Sequence, residues 1–309
     1  MNNLYILTAK YLEYCKYRKG LNKKTLKAYK TDLTQYLDYL ELISAIQDGL
    51  ERSSVDSYIT RLHTAFKPKS AKRKTASLKA FFRYLVYSEV IKNNPFDKID
   101  TSFREPKLLP RTIPLHVIQA FLSTLYAQMN LARTEHQKRC LMRDIAVCEL
   151  LFATGIRISE LCSLSPGALD LKNGTVRIWG KGAKERILQL SHPDVLSALH
   201  IYQQEFAKEI GLCDYFFVNR LHRPLSDQSV RFMINKYAAL ANLNMHITPH
   251  MFRHSFATLL LEQDVDIRSI QKILGHSSIT TTEIYTHVSN RRQKDLLEKK
   301  NPRNMIALE

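Results

Sequence analysis

Residues 249–263, PHMFRHSFATLLLEQ, place a guanidinium between two imidazoles. His250, Arg253 and His254 recur at three- and four-residue steps, so on a helix they share one side. Thr248-Pro249 supplies the start signal, a threonine N-cap with proline at the first helical position. Phe252, Phe256, Leu259 and Leu260 form the expected buried stripe, which leaves the His/Arg set off the core face as a site for an anionic ligand. Two other chemistries fail on the residues. His246, His250 and His254 are spaced like metal ligands, but Pro249 interrupts the helix they would need, and Met251 stands where a zinc protease motif has glutamate. Gly174 to Lys181 has one residue too many for a phosphate-binding loop, and Gly182 stands where serine or threonine belongs. Neither a metal nor a nucleotide cofactor is expected.

The elements that position these residues are mostly helical. Leu26, Tyr29, Leu33, Tyr36, Leu37 and Leu40 mark one apolar helical face, and further helices are expected near 53–65 and 70–92. The last of these begins with Lys69, Lys72, Arg73, Lys74 and Lys79 and ends on Phe81, Phe82, Leu85 and Val86. Its basic end is therefore expected to face either phosphates or solvent. Residues 101–114, TSFREPKLLPRTIP, hold three prolines and lose helical periodicity, as an extended linker would. Helix resumes from His116 to Gln128 and again over about 141–154, ending at Gly155 in a C-cap position. NGTVRIWGKGAKERILQL reads as an antiparallel hairpin: Asn173-Gly174 turns, Val176 and Ile178 alternate, Lys181 lies at the second turn, and the chain returns through Ile187 and Leu190. From about 225 onward the pattern is helical. A helix from Asp266 closes at Gly275 before His276, and another, opening at Ser277 or Ser278, carries Tyr285, one of fifteen tyrosines.

The chain has 309 residues, which favours two domains, and its apolar and charged fractions of 45% and 24% suit a globular protein. No apolar run reaches the roughly 18 to 20 residues of a membrane span, and the N-terminus lacks the unbroken apolar stretch of a signal peptide. A cytoplasmic protein is expected. The five cysteines form no C-x-x-C pair and are expected to be buried thiols. The net charge is +17, with 21 Lys or Arg against 11 Asp or Glu in residues 1–110. Such an excess attracts polyanions, nucleic acid first among them, although a basic surface can also serve solubility alone.

Arg157 within ATGIRISEL, Lys181 within GKGAKER, His250 and Arg253 in HMFRH, His276 in LGHSS and Tyr285 in TTTEIYTHV match, in order, the six active-site positions of tyrosine recombinases. The chain resembles that family over nearly its whole length, most closely the Xer group and related integrases. The resemblance implies a mainly α fold. An N-terminal helical core-binding (SAM-like) domain, residues 1–105, would be joined by a linker, 106–114, to a mostly helical catalytic domain, 115–309, with a small antiparallel sheet.

The resemblance also implies roles. Arg157 and Arg253 would clamp the scissile phosphate, whose transition state gathers charge on its non-bridging oxygens, and His276 would add a third donor. Tyr285 would be the nucleophile, its phenol made competent by the positive site and by His250 as base. Lys181 would protonate the leaving 5′-oxygen. The phosphotyrosine bond conserves the energy of the cleaved linkage, so neither ATP nor a metal is implied. Lys184 and Arg186 are read as contacting DNA or solvated, and His254 as bracing the helix or another site residue. The apolar Met305-Ile306-Ala307-Leu308 patch after Pro302 is expected to dock on a neighbouring protomer of a homo-tetramer on double-stranded DNA, with or without a related recombinase or accessory factor. An inactive DNA-binding accessory protein and a DNA-relaxing topoisomerase are the competing readings. Occupancy of all six positions argues against the first, and the helical first domain and apolar tail against the second. Integration, excision, inversion and dimer resolution all remain open; the length and the charged stretch from Arg133 to Arg143 lean towards a mobile-element integrase.

Overall fold

The computed structural model describes residues 4–102, 110–180 and 185–275. The chain divides into two compact units, residues 1–107 and 108–309.

The first unit packs four helices, α1 (Leu4–Tyr17), α2 (Lys23–Leu42), α3 (Arg52–Ala65) and α4 (Pro68–Tyr87), with a short 3-10 turn over Pro95–Lys98. The α2 stripe is buried at Leu33, Tyr36, Leu37 and Leu40, while Leu26 and Tyr29 pack at its margin. Aromatic rings knit the core: Tyr36 lies 4.9 Å from Tyr58, and Phe82 meets Phe81 and Phe96 edge-on at 5.7 and 5.6 Å. Helix α4 ends at Tyr87, short of the expected 92, because Glu89 adopts a left-handed φ of 55°. The expected basic end of α4 is divided. Lys69 and Lys72 lie on the exposed side. Lys74 is only 5% exposed and donates to Asp32 and Gln35, with its ammonium 4.7 Å from the Phe66 ring centre. A buried ammonium needs such partners, and they remove Lys74 from the outward basic set. Arg73 pairs with the same Asp32, and Lys79 bonds Thr101, so both are tied within this unit as well.

The second unit is helical around one small sheet. Helices α5 (Leu115–Leu131) and α6 (Glu135–Thr154) lead to a short α7 (Ile158–Cys162). A three-stranded antiparallel sheet follows, β1 (Leu169–Asp170), β2 (Thr175–Trp179) and β3 (Glu185–Gln189), in the order β1-β2-β3. Helices α8 (Pro193–Glu205), α9 (Ala207–Gly211), α10 (Asp227–Leu240), α11 (Pro249–Glu262) and α12 (Ile267–Leu274) complete the described part. Ile113, within the expected linker, is instead buried in this core, its amide donating to Ser255 Oγ at 2.6 Å.

The hairpin is present, but its return strand has the opposite parity to part of the expectation. Val176 pairs with Leu188 and Ile178 with Arg186, so Leu188 and Arg186 share the inner face. Ile187 pairs with Arg177 on the outer face and is 58% exposed. The five cysteines are free thiols; Cys15, Cys148 and Cys162 are buried, and Cys140 and Cys213 partly so. Among the described residues, no helix is long and apolar enough to cross a membrane.

Candidate active site

Two helix ends build the site. Helix α6 stops at Gly155 and α12 at Gly275, both in the left-handed region with φ of 59° and 66°. A helix C-terminus leaves carbonyls without amide partners and carries the negative end of the helix dipole. Two arginines occupy these carbonyls. Arg253 Nη1 donates to Gly155 O and Nη2 to Leu274 O, each at 2.7 Å. Arg157 Nη2 donates to the next carbonyl in the chain, Gly275 O, at 3.2 Å. The two guanidiniums thus meet on consecutive carbonyls of one helix end.

Helix α11 delivers Arg253. Its start forms as the sequence indicates, with Thr248 accepting from the Met251 amide and Pro249 in the first turn. The buried face differs from the expected stripe: Phe252 is fully enclosed, but Phe256, Leu259 and Leu260 are only half-buried. Met251, Arg253, Ser255, Ala257, Thr258 and Leu261 are buried instead. Arg253, expected off the core face, is 4% exposed, because the carbonyls it needs lie inside.

His250 faces solvent one turn before Arg253. Desolvation lowers its pKa from the ordinary histidine value, and the guanidiniums of Arg231, Arg253 and Arg157 lower it further, against a smaller opposing pull from Asp227. His250 is therefore a neutral imidazole at pH 7. Arg231, on α10, had no distinguishing spacing in the sequence. His254 is more enclosed; burial first, then His250 and Arg253, bring its pKa down to about 4.

Arg157 caps the start of α7. Its Nη1 donates to Glu160 Oε1 at 2.6 Å and its backbone amide to Glu160 Oε2 at 3.1 Å. Glu160 also accepts a fork from Arg186, with Nη1 to Oε1 at 3.2 Å and Nη2 to Oε2 at 2.7 Å. Burial raises the Glu160 pKa, but the bonds and charge of Arg186 and Arg157 outweigh it and hold the carboxyl below its usual range. Arg186, read from the sequence as DNA-contacting or solvated, is here enclosed and paired with Glu160. Glu160 itself went unnoticed. The available signal was an acid three residues after Arg157, set among the apolar Ile156, Ile158 and Leu161.

The structure thus brings Arg157, Arg253 and His250 together. Lys181, Lys184, His276 and Tyr285, like the tail residues 301–309, lie outside the described residues. Among the described residues, no group of three or more His, Cys, Asp or Glu is placed to hold a metal ion.

Comparison with known proteins gives the same picture. Residues 118–292 match the model of the phage integrase family, and residues 8–89 that of the phage integrase N-terminal SAM-like domain. A tyrosine recombinase of Agathobacter rectalis is 54% identical over 98% of each chain. The tyrosine recombinase XerD of Listeria monocytogenes is 34% identical over 95% of this chain and 97% of its own. In fold, the chain is similar to a XerH site-specific recombinase crystallised in a post-cleavage complex with a palindromic difH substrate. That likeness has a TM-score of 0.74 at 21% identity, over 94% of this chain and 84% of that one. On its residues, its two matched domains and its relatives, this chain belongs to the phage integrase family of tyrosine recombinases.

Proposed function

We propose that the protein is a site-specific DNA recombinase that cuts and rejoins double-stranded DNA through a 3′-phosphotyrosine at Tyr285. The observation that carries this reading is the pair of guanidiniums, Arg157 and Arg253, seated on the adjacent carbonyls of Leu274 and Gly275 with neutral His250 close by. A fixed cationic pair suits a phosphodiester, because charge grows on its non-bridging oxygens as the phenol attacks and the donors need no reorganisation. His250, uncharged at neutral pH, can take the phenolic proton. His276 would add a donor to the phosphate and Lys181 would protonate the departing 5′-oxygen. The tyrosyl ester retains the energy of the broken bond, so the reverse attack by a DNA 5′-hydroxyl reseals the strand.

The exposed Lys69 and Lys72, with the net charge of +17, support binding to DNA. Pairwise strand exchange through a Holliday junction asks for four protomers on two sites. The apolar tail around Met305-Ile306-Ala307-Leu308 suits a protomer contact in such a tetramer, with or without a related recombinase or accessory factor. A cytoplasmic, nucleoid-associated enzyme fits this role.

A nicked duplex that loses a short fragment on cleavage, and so traps the cut state, tests the reading. It should be built on a site that the protein cleaves in the DNA of its source genome. The expected result is a covalent protein–DNA adduct with the 3′-phosphate on Tyr285, absent in Tyr285→Phe. Failure of the wild-type protein to form an adduct at any site would remove the enzyme reading.

A further inference from the structure

Arg186 reached the site without a task. It stands on the inner face of β3, paired in register with Ile178, and only 11% of its side chain is exposed. Three chain segments converge on it. Its fork holds both oxygens of Glu160, the carboxylate that also holds Arg157. Gly275, directly before His276 in sequence, packs against its guanidinium so closely that a Cβ there would lie 2.8 Å from Arg186 Nη1. Arg186 itself is the second residue of β3, five positions after Lys181 in sequence.

Glu160 is 7% exposed, and a buried carboxylate must be matched by donors or it becomes costly. Arg157 supplies one guanidinium donor from Nη1 and keeps Nη2 on Gly275 O. Without Arg186, the second face of the carboxylate would have no cation. The nearest relief is a two-point grip on Arg157, which draws Nη2 away from Gly275 O and shifts the guanidinium from its place beside Arg253. Arg186 Nε has no acceptor among the described residues, so its two Nη groups carry the whole contact.

We infer that Arg186 is a positioning residue for strand cleavage: by saturating Glu160 it keeps Arg157 on the Gly275 carbonyl, and it ties strand β3 to the helix end at Gly275. The inference rests on the recombinase reading above. It assigns Arg186 no contact with DNA.

The trapping duplex described above distinguishes the alternatives. For Arg186→Gln at saturating protein, adduct formation is expected to slow by about 10²-fold, the size of losing one transition-state donor. Affinity for the duplex should stay within about twofold and its salt dependence should be unchanged. Adding Glu160→Gln removes the unmatched carboxylate, so the double variant should form adduct at least about tenfold faster than Arg186→Gln alone. A merely structural arginine would lower the melting temperature without producing that recovery. Should Arg186→Gln fail to fold, Arg186→Lys keeps the charge but loses the fork and must show the same separation of rate from affinity. Wild-type cleavage rates in the variants overturn the inference. So does weakened binding with a salt slope reduced by about one, the mark of a lost phosphate contact. So does a double variant whose loss equals the product of the two single losses. A wild-type protein that forms no adduct overturns the recombinase reading, and this inference with it; a normal wild-type adduct with an unaffected variant overturns this inference alone.

Discussion

His250 and His254 stand one turn apart on α11 and carry different burdens. His250 remains at the solvent edge among guanidiniums, whereas burial holds the His254 pKa at about 4, well below its ordinary 6.5. Between those values the unfolded chain binds a proton at His254 that the folded chain refuses. Stability should therefore be fully present above about pH 6.5 and decline as the pH falls towards 4. Melting temperatures of the wild type and His254→Gln, recorded across that window, should converge on the acid side if His254 contributes as described. A gap that stays constant with pH would show that folding leaves the proton affinity of His254 unchanged and would overturn this reading. At this scale the sequence was a partial guide. His250 and Arg253 were legible because their spacing on a helix is regular. Glu160 had only its place among apolar neighbours to mark it, and the enclosure of Arg186 was not legible because a strand in isolation does not reveal which face is inside.

At the scale of elements, the two glycine stops matter more than the helices they end. Gly155 takes a φ of 59°, and a Cβ there would lie 2.6 Å from Phe256 Cδ1 and 3.0 Å from Leu274 Cδ2. Its carbonyl is the acceptor for Arg253 Nη1. Gly155→Ala should therefore cost about 1–3 kcal/mol from the left-handed backbone alone, before the packing conflict is added. It should also slow cleavage by displacing Arg253. Gly211→Ala provides the contrast: a Cβ there meets nothing within 4 Å and no left-handed φ is involved, so its melting temperature should stay near that of the wild type. Thermal melts of both variants beside the wild type check the pair. Gly155 and Gly275 were readable as helix stops, and Thr248-Pro249 as a start. Helix α6 begins at Glu135, earlier than its apolar periodicity suggests, because its first turn is polar and is fixed by the reciprocal Thr134 and Gln137 capping bonds. Helix α1 passed unread, as apolar residues cover several of its faces, and β1 is two residues long.

For the whole molecule, each unit has a core of its own. Leu33, Tyr36, Phe81 and Phe82 belong to the first; Phe121, Leu150, Tyr202 and Phe252 belong to the second. The two clusters have no buried residue in common. Some 100 residues with a closed aromatic core suffice for independent folding. A fragment of residues 1–102 should accordingly show helical circular dichroism and a cooperative melt by itself. A fragment that stays unfolded would mean that this core depends on residues beyond it. The two-domain organisation was legible from chain length and the proline-rich stretch at 101–114, although Ile113, inside the expected linker, serves the second core through its bond to Ser255.

The pairing of Ile178 with Arg186 also limits which changes in chain length the gene can tolerate. Residues between β2 and β3 can be added or lost without altering which side chains of β3 face inward, provided the strand keeps its partners. Loss of one codon inside β3 reverses that parity, placing the neighbour of Arg186 towards Glu160 and Arg186 towards solvent. Such a deletion would leave the remaining strand residues intact and still separate Glu160 from the fork that holds it.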